Sequence, residues 1–216
     1  MQTKTTDGLV IRMQPILESE MAAVPEPLAR YEVCAHLSLR GAQNHQQELD
    51  WLKARYDDPD SQGWGIYEFK PGSDSRGRLI GASGIENISS YRGISGVVLW
   101  DSGMWGKGIA SAIHRARCLY AVDVLGLVAI DSGADLVNQG SHRALCGVGY
   151  VKTGVDYNRG VAYGKHCHAV RLLWVNPSEY AWNFFWAGGK VPKHFVAGRV
   201  RAQNALDQAR KEVEFL

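Results

Sequence analysis

Residues 97–110 read Val97-Val98-Leu99-Trp100-Asp101-Ser102-Gly103-Met104-Trp105-Gly106-Lys107-Gly108-Ile109-Ala110. The first four are apolar and predict the end of a buried strand, whereas the segment after Gly108 predicts the start of a helix. Gly106 and Gly108 lie between the two, where their freedom to adopt positive φ lets the backbone approach a ligand closely. Because a helix N-terminus presents free N–H groups and a partial positive charge, this pattern predicts a site for a phosphate group.

The composition is that of a globular protein, with 45% hydrophobic and 21% charged residues among 216. A formal net charge of +2 predicts no strong attraction to nucleic acid or to a membrane surface. No apolar run approaches the ~20 residues that a transmembrane helix needs. The polar segment 1–8 lacks the apolar centre of a signal peptide. We therefore expect a cytoplasmic protein built on one well-buried domain.

The cysteine pattern argues against a zinc site or a disulfide framework and favours free thiols. The four cysteines are widely spaced and form no Cys-x-x-Cys pair: Cys34, Cys118, Cys146 and Cys167. The segment His166-Cys167-His168 would place two histidines on one face of a strand. No second ligand pair follows at metal-site spacing, so we expect no metal.

The apolar periodicity predicts an α/β fold with a central sheet of mixed direction and flanking helices. Strands are expected at 9–13, 64–69, 79–85, 94–100, 127–130, 150–151 and 169–175. Helices are expected at 46–55, between Ile109 and Gly126, at 141–147 and at 200–216. Turn-rich and polar segments predict loops at 71–77 and 152–168.

The helix after the glycine turn has one apolar stripe, which predicts one buried face. The stripe consists of Ile109, Ile113, Ala116 and Tyr120. Arg115 and Arg117 fall outside it, and His114 is expected to face away from any ligand site. The glycine turn itself would lie at the carboxyl end of a central strand, where ligands usually bind in such sheets.

The sequence changes character after Asn176-Pro177, and we predict a domain over 1–177 and a C-terminal helical extension over 178–216. The extension contains an aromatic segment at 180–186 and then the predicted helix. Packing along the domain, covering a pocket, and self-association as a homodimer remain open for it. Its basic residues are interspersed with Asp207, Glu212 and Glu214, which argues against nucleic acid as a partner.

Four motifs occur in an order that resembles the Gcn5-related N-acetyltransferase (GNAT) superfamily. They are Ile80-Gly81 within a strand, Trp105-Gly106-Lys107-Gly108-Ile109-Ala110, Asn138-x-x-Ser141-x-Arg143, and Gly149-Tyr150. The similarity covers about residues 9–176. Trp105 stands where the family usually has Gln or Arg, and tryptophan there resembles the ribosomal-protein-alanine acetyltransferase-like (RimJ/RimL-type) branch.

The resemblance implies a GNAT fold and acetyl-CoA as the acyl donor. It implies that the backbone of Val98, Leu99 and Trp100 binds the pantetheine arm. It also implies that Trp105, Gly106, Lys107, Gly108, Ile109 and Ala110 form the pyrophosphate loop. Lys107 would lie near a phosphate, or would simply be a solvated surface lysine. Asn138 and Arg143 complete the expected set of coenzyme-binding residues.

The implied reaction is acetyl transfer to a primary amine, which belongs to a protein N-terminus or to a small molecule. A backbone N–H near Leu99 or Trp100 would stabilise the oxyanion, and Ser141 would protonate the departing sulfur. Alternatively, Asn138 and Ser141 form an ordinary helix N-cap without a role in binding or catalysis. Glu86 is the candidate general base, with a surface glutamate as the alternative, and Asp101 is a second candidate.

Two further interpretations remain at this point. Cys146 could suggest a covalent acetyl-cysteine route, but a thiol packed in a helix is the simpler explanation. A non-catalytic acyl-CoA-binding sensor or interaction module would share the same cleft. Within the enzyme class, we expect the choice of acceptor to depend on the loops at 20–45 and 152–168 and on the C-terminal segment.

Overall fold

The computed structural model describes residues 1–37, 44–72, 75–162 and 164–216. In these residues one sheet contains eight strands. The strands are β1 (Gln2–Lys4), β2 (Val10–Gln14), β3 (Gln62–Phe69), β4 (Arg78–Glu86), β5 (Arg92–Leu99), β6 (Ala129–Asp135), β7 (Val151–Ala162) and β8 (Lys165–Val175). Their order across the sheet is β1-β2-β3-β4-β5-β6-β8-β7. The pair β5–β6 is parallel and the other pairs are antiparallel.

Helices flank this sheet, which confirms the predicted mixed α/β class. They are α1 (Pro25–Leu28), α2 (Tyr31–Cys34), α3 (His45–Asp57), α4 (Ile109–Asp123), α5 (Gln139–Gly147), α6 (Glu179–Trp186) and α7 (Lys193–Glu212). Short 3-10 helices cover Glu18–Ala23 and Ser102–Met104. No helix in the described part of the chain combines the length and the apolarity needed to cross a membrane.

The two faces of the sheet carry different layers. On β4, Ser83 contacts α4, whereas its neighbour Ala82 belongs to a second apolar cluster with Leu52 of α3. Since successive strand residues point to opposite faces, α4 and α3 lie on opposite sides of the sheet. Segment 16–37 contributes to the α3 side through residues such as Met21 and Leu28.

Helix α4 is buried more completely than its single apolar stripe predicts. Arg117 is fully buried, and Arg115 is 7% exposed and bonded to Glu212 of α7 at 3.1 Å. The expectation of one buried face is therefore wrong, because Arg117 reaches the strands β4 and β5 while α7 covers Arg115 on another side of the helix. Long arginine side chains can be buried there because their guanidinium groups reach polar partners.

Helix α7 contributes to the main core. Its buried residues Ala202, Ala205, Leu206 and Ala209 belong to the same apolar cluster as α4 and the central strands. Just beyond the helix, Glu214 pairs with Gln2 of β1. The helix begins seven residues earlier than expected, at Lys193 instead of residue 200. The division of the chain at residue 177 stays a prediction, while the packing shows that α7 completes the core of the sheet.

The predicted polar loop at 152–168 is instead mostly strand. β7 and β8 form a long hairpin whose pairing extends to Ala162 and Lys165. Polar residues are compatible with strands here because most of the hairpin's side chains are at least partly exposed to solvent. Residues 38–43, 73–74 and 163, which belong to the predicted loops at 20–45, 71–77 and 152–168, lie outside the described residues.

Candidate functional site

The parallel strands β5 and β6 separate along their length. Their pairing runs from Arg92 to Ser95 on β5, whereas the pairing of β5 with β4 continues to Leu99. From Gly96 onward β5 therefore has a strand partner on one side only. The backbone groups on its other side form a short open strand edge inside the sheet, which can bind an extended ligand in the manner of an added strand.

In an antiparallel ladder, the backbone groups of successive residues point alternately toward the partner strand and away from it. The register of β5 with β4 therefore decides which backbone groups face this gap. The N–H of Trp100 donates to the carbonyl of Ile80 at 3.1 Å, and the carbonyl of Val98 lies against Gly81. Val98 and Trp100 therefore use their backbone groups toward β4, which argues against the pantetheine role predicted for both and the oxyanion role predicted for Trp100. The groups that face the gap belong to Val97 and Leu99.

Trp105 occupies part of the same edge. Its indole N–H donates to the carbonyl of Leu99 at 2.9 Å, so the side chain ties the glycine turn to the end of β5. This contact leaves the N–H of Leu99 and both backbone groups of Val97 for a ligand. The sequence indicated a coenzyme contact for Trp105, and the structure adds this positioning role.

The glycine turn forms the cradle that anion binding requires. Gly106 and Gly108 have φ of +76° and +73°, a region that other residues rarely adopt. Gly108 is the N-cap of α4, and no side chain caps the helix. The first N–H groups of α4, beginning at Ile109, are therefore available to a phosphate at the positive end of the helix dipole.

A cavity of about 800 Å³ connects the cradle with the strand gap. It is lined by most of the predicted coenzyme-binding residues, namely Val98, Leu99, Trp105, Gly106, Gly108, Ile109, Ala110, Asn138 and Arg143, and also by Ser141. Trp100 and Lys107 are absent from this lining. Lys107 is exposed, and its Nζ lies 3.5 Å from the sulfur of Met104.

Helix α5 carries the three polar residues of the third motif. Asn138 is its N-cap, and the amide oxygen of Asn138 accepts the backbone N–H of Ser141 at 3.0 Å. The cap interpretation is thus correct, and it uses only the oxygen of the amide, so the NH₂ group can still serve a ligand. Arg143 is exposed and has no acidic partner among the described residues. Its guanidinium group is therefore free to bind a phosphate.

His114 lines the cavity, so the expectation that it faces away is wrong. Its Nδ1 lies 2.7 Å from the guanidinium of Arg117, and its Nε2 is buried without a partner in the described residues. Burial, aided by Arg117, holds the pKa of His114 well below its usual value. The ring is therefore neutral. Since Nδ1 accepts from arginine, Nε2 carries the proton and is a donor.

Arg117 connects three elements beneath the strand gap. Its Nη1 donates to the carbonyl of Gly96 at 2.6 Å and to Ser83 Oγ at 3.0 Å, and Nη2 contacts His114. A buried cation at this place was not predicted, because Arg117 falls outside the apolar stripe of α4. Its partners on β4 and β5, Ser83 and Gly96, lie 34 and 21 residues earlier in the chain.

A second cavity, of about 510 Å³, lies on the α3 side of the sheet. The two cavities share Leu37 and the β5 residues Gly96, Val97 and Val98. Glu86, the predicted general base, lines this second cavity, where it forms an ion pair with Arg55 of α3 at 2.5 Å. Glu48 of α3 is buried in the same cavity, and sequence reasoning missed it.

The other two catalytic candidates lie elsewhere. Asp101 forms an ion pair with Arg78, which lowers the pKa of the carboxyl group, so it is a poor proton acceptor. Neither Asp101 nor Cys146 is among the lining residues of the two cavities in the described structure. The described residues contain no group of three or more His, Cys, Asp or Glu placed to hold a metal ion.

The structure is a mixed α/β sheet that opens beside a helix N-terminus, with two cavities meeting at the opening, which is a fold and site suited to a phosphorylated ligand. The sequence model of the acetyltransferase (GNAT) domain matches residues 13–151, which is more than half of the chain. The protein therefore belongs to the GNAT acetyltransferase family, and the predicted family is confirmed. Members of this family use acetyl-CoA as the acyl donor.

Solved structures share this fold at low sequence identity. RimJ of Mycobacterium smegmatis, in complex with CoA-disulfide, has a TM-score of 0.70 and 15% identity, over 87% of this chain and 93% of that one. Spermidine N-acetyltransferase of Vibrio cholerae, in complex with CoA and spermine, has a TM-score of 0.67 and 11% identity, over 76% and 95%. A GNAT-family acetyltransferase of Bacillus anthracis has a TM-score of 0.62 and 15% identity, over 81% and 98%. A comparison with curated protein sequences gave no significant match.

Proposed function

We propose that the protein transfers the acetyl group of acetyl-CoA to the nitrogen of a primary amine, by direct attack within a ternary complex. The observation that carries this proposal is the junction of the two cavities at Gly96, Val97 and Val98. A donor bound on the α4 side and an acceptor bound on the α3 side would meet where β5 separates from β6. Such an arrangement needs no covalent enzyme intermediate.

On the donor side, three parts of the chain would hold coenzyme A. The N–H groups at the start of α4 would bind the pyrophosphate, and Val97 and Leu99 would pair with the amides of the pantetheine arm. Arg143 and the amide NH₂ of Asn138 add donors from α5. The cavity of about 800 Å³ is large enough for a ligand of this size.

The reaction joins the acceptor nitrogen to the acetyl carbonyl carbon, breaks the carbon–sulfur bond and leaves a thiolate and a proton. Negative charge develops on the carbonyl oxygen, and we assign its stabilisation to the N–H of Val97. This N–H belongs to the same peptide group as the carbonyl of Gly96, which accepts from Arg117. A cationic donor at that carbonyl polarises the peptide group and strengthens its N–H as a donor.

Proton transfer would use one residue on each side. Ser141, at the start of α5, would donate its hydroxyl proton to the departing sulfur and would regain a proton from water. Glu86 would take the proton of the acceptor amine from its place in the second cavity, with a water molecule as relay. The Glu86 side chain is 38% exposed, so water can reach its carboxylate beside the ion pair with Arg55.

The proposal is tested by measuring thiol release from acetyl-CoA in the presence of a panel of primary amines, together with CoA binding by calorimetry. We expect CoA binding and amine-dependent thiol release, with the acetylated amine identified by mass spectrometry. Binding of CoA without thiol release from any amine would instead support the non-catalytic acyl-CoA-binding module.

Replacement of Ser141 with alanine is expected to lower kcat by roughly 100-fold while leaving the affinity for CoA within a few-fold, as is typical for loss of a general acid. The cap of α5 persists in this variant because it uses the backbone N–H of Ser141. Ser141→Thr keeps the hydroxyl group and should retain most of the activity. Equal kcat values for wild type and Ser141→Ala would exclude the assigned role.

A further inference from the structure

The second cavity is apolar apart from a few polar groups, and most of these are already paired. Its apolar walls come from Ile16, Met21, Val24, Leu28, Leu37, Leu52, Trp64, Ala82, Val98 and Trp100. Arg55 and Glu86 neutralise each other, and the hydroxyl of Tyr56 donates to the carbonyl of Ile16 at 2.8 Å. Ser83 donates to the carbonyl of Gly96.

Glu48 is the exception. It is 6% exposed and lines the cavity, yet its carboxylate has no hydrogen bond or ion pair among the described residues. Burying an unpaired carboxylate is costly, so proteins usually pair such a group or keep it for a ligand. Since the chain supplies no partner in the residues that the structure describes, a cationic ligand in the cavity would be the natural one.

The described residues that line the cavity therefore present one unpaired carboxylate surrounded by apolar and aromatic side chains. Glu48 can match a single ammonium group, and Trp64 and Trp100 are among the lining residues that can pack against an apolar body. A second ammonium group on the same ligand would have to be buried against apolar side chains without a counter-ion, which is unfavourable.

We propose that Glu48 binds the ammonium group of the acceptor, and that the acceptor is a monoamine carried on an apolar or aromatic body. This inference rests on the proposed acetyl transfer and specifies its substrate class. Both a free arylalkylamine and the apolar N-terminal residue of a short peptide present this chemistry. Polyamines do not, because their additional charges have no free counter-ion among the described residues that line the cavity.

The electrostatics of Glu48 agree with this assignment. Burial raises the pKa of its carboxyl group, so the ionised form is destabilised until a cation arrives. The other titratable or charged groups that line the cavity in the described residues are Arg55, Tyr56 and Glu86. As pH falls through the raised pKa, the ionised fraction of Glu48 decreases, and KM for the amine should rise. This rise should be absent from Glu48→Gln.

The substrate class is tested by comparing kcat/KM for 2-phenylethylamine, a tripeptide with N-terminal phenylalanine, a tripeptide with N-terminal aspartate, and spermidine. We expect at least one of the first two to exceed spermidine and the aspartyl peptide by about 10-fold or more. Which of the two is preferred distinguishes a small-molecule acceptor from a peptide. Equal or better use of spermidine would overturn the inference while leaving acetyl transfer intact.

The role of Glu48 is tested with Glu48→Gln, for which we expect KM for the preferred amine to rise about 10- to 100-fold, since one charged partner of a buried pair is removed. CoA affinity should stay within about twofold, and Tm should stay the same or rise by about 2–4 °C because an unpaired buried charge disappears. Asp50→Asn on the same helix is the matched control, as its carboxylate is exposed. A merely structural Glu48 predicts a lower Tm and an unchanged KM.

If Glu48→Gln fails to fold, inhibition of the wild-type protein tests the same ammonium site. Competitive inhibition by 2-phenylethanol, the neutral alcohol with the same apolar body, should be at least 10-fold weaker than that by N,N,N-trimethyl-2-phenylethylammonium, which keeps the charge. Equal inhibition constants would overturn the ammonium site. Thiol release from no amine at all, with CoA still bound, would overturn the proposed function itself.

Discussion

A Gly108→Asp variant is expected to lose affinity for CoA by about 100-fold or more, because at least two charge-assisted hydrogen bonds, each worth about 1.5–3 kcal/mol, are replaced. The introduced carboxylate would lie at the positive end of the α4 dipole, beside the first N–H groups of the helix that the pyrophosphate needs. The added negative charge would also repel the phosphates. Isothermal titration with CoA measures the loss.

Gly126→Asp is the matched control for this variant. Gly126 has φ of +66° just beyond the other end of α4, and nothing lies within 4 Å of an added Cβ. The two substitutions therefore add the same side chain at a similarly strained backbone position, at a cost of roughly 1–2 kcal/mol each. Only Gly108→Asp should weaken CoA binding. A comparable loss in both variants would mean that backbone strain, and not the anion cradle, sets the affinity.

The cradle could be predicted from the sequence because it is local. A glycine-bearing turn between a strand and a helix needs no distant partner to acquire its geometry, and residues 97–110 contain all of it. The same holds for the cap of α5, which spans only Asn138 to Ser141. For such segments, spacing and residue type determine the structure.

The residues at the open edge of β5 could not be assigned in the same way. Whether a residue faces β4 or the gap depends on the register of the ladder, and a shift of one residue exchanges the two sets. The prediction chose Val98 and Trp100 along with Leu99, whereas the register places Val97 and Leu99 at the gap. A pattern of apolar residues contains no information about this choice.

The burial of Glu48 was predictable in part. Glu48, Leu52 and Arg55 are spaced by four and three residues, so they share one face of α3. Leu52 already indicated that this face is buried, and the carboxylate four residues earlier was the available signal. The missing information was that Glu48 would find no partner in the described structure, which depends on the ion pair between Arg55 and Glu86.

Because α7 packs against the turn that contains Gly149, we expect a substitution at Gly149 to lower the stability of the fold strongly. This residue has φ of +105°, and an added Cβ would lie 2.6 Å from the backbone nitrogen of Ala202 in α7. Gly149→Ala should therefore strain the turn and displace α7. Positive-φ strain of about 1–2 kcal/mol and overpacking of about 1–3 kcal/mol predict a destabilisation of about 2–5 kcal/mol.

Thermal unfolding measures this effect, with a fall in Tm of roughly 5–15 °C expected at this chain length. Gly147→Ala is the control, because Gly147 has no positive φ and nothing lies within 4 Å of an added Cβ. Alanine there should leave Tm unchanged or raise it, as in other helical positions. If both variants unfold at the wild-type temperature, α7 does not hold the turn after α5. In that case neither the positive φ nor the contact with α7 would require glycine at position 149.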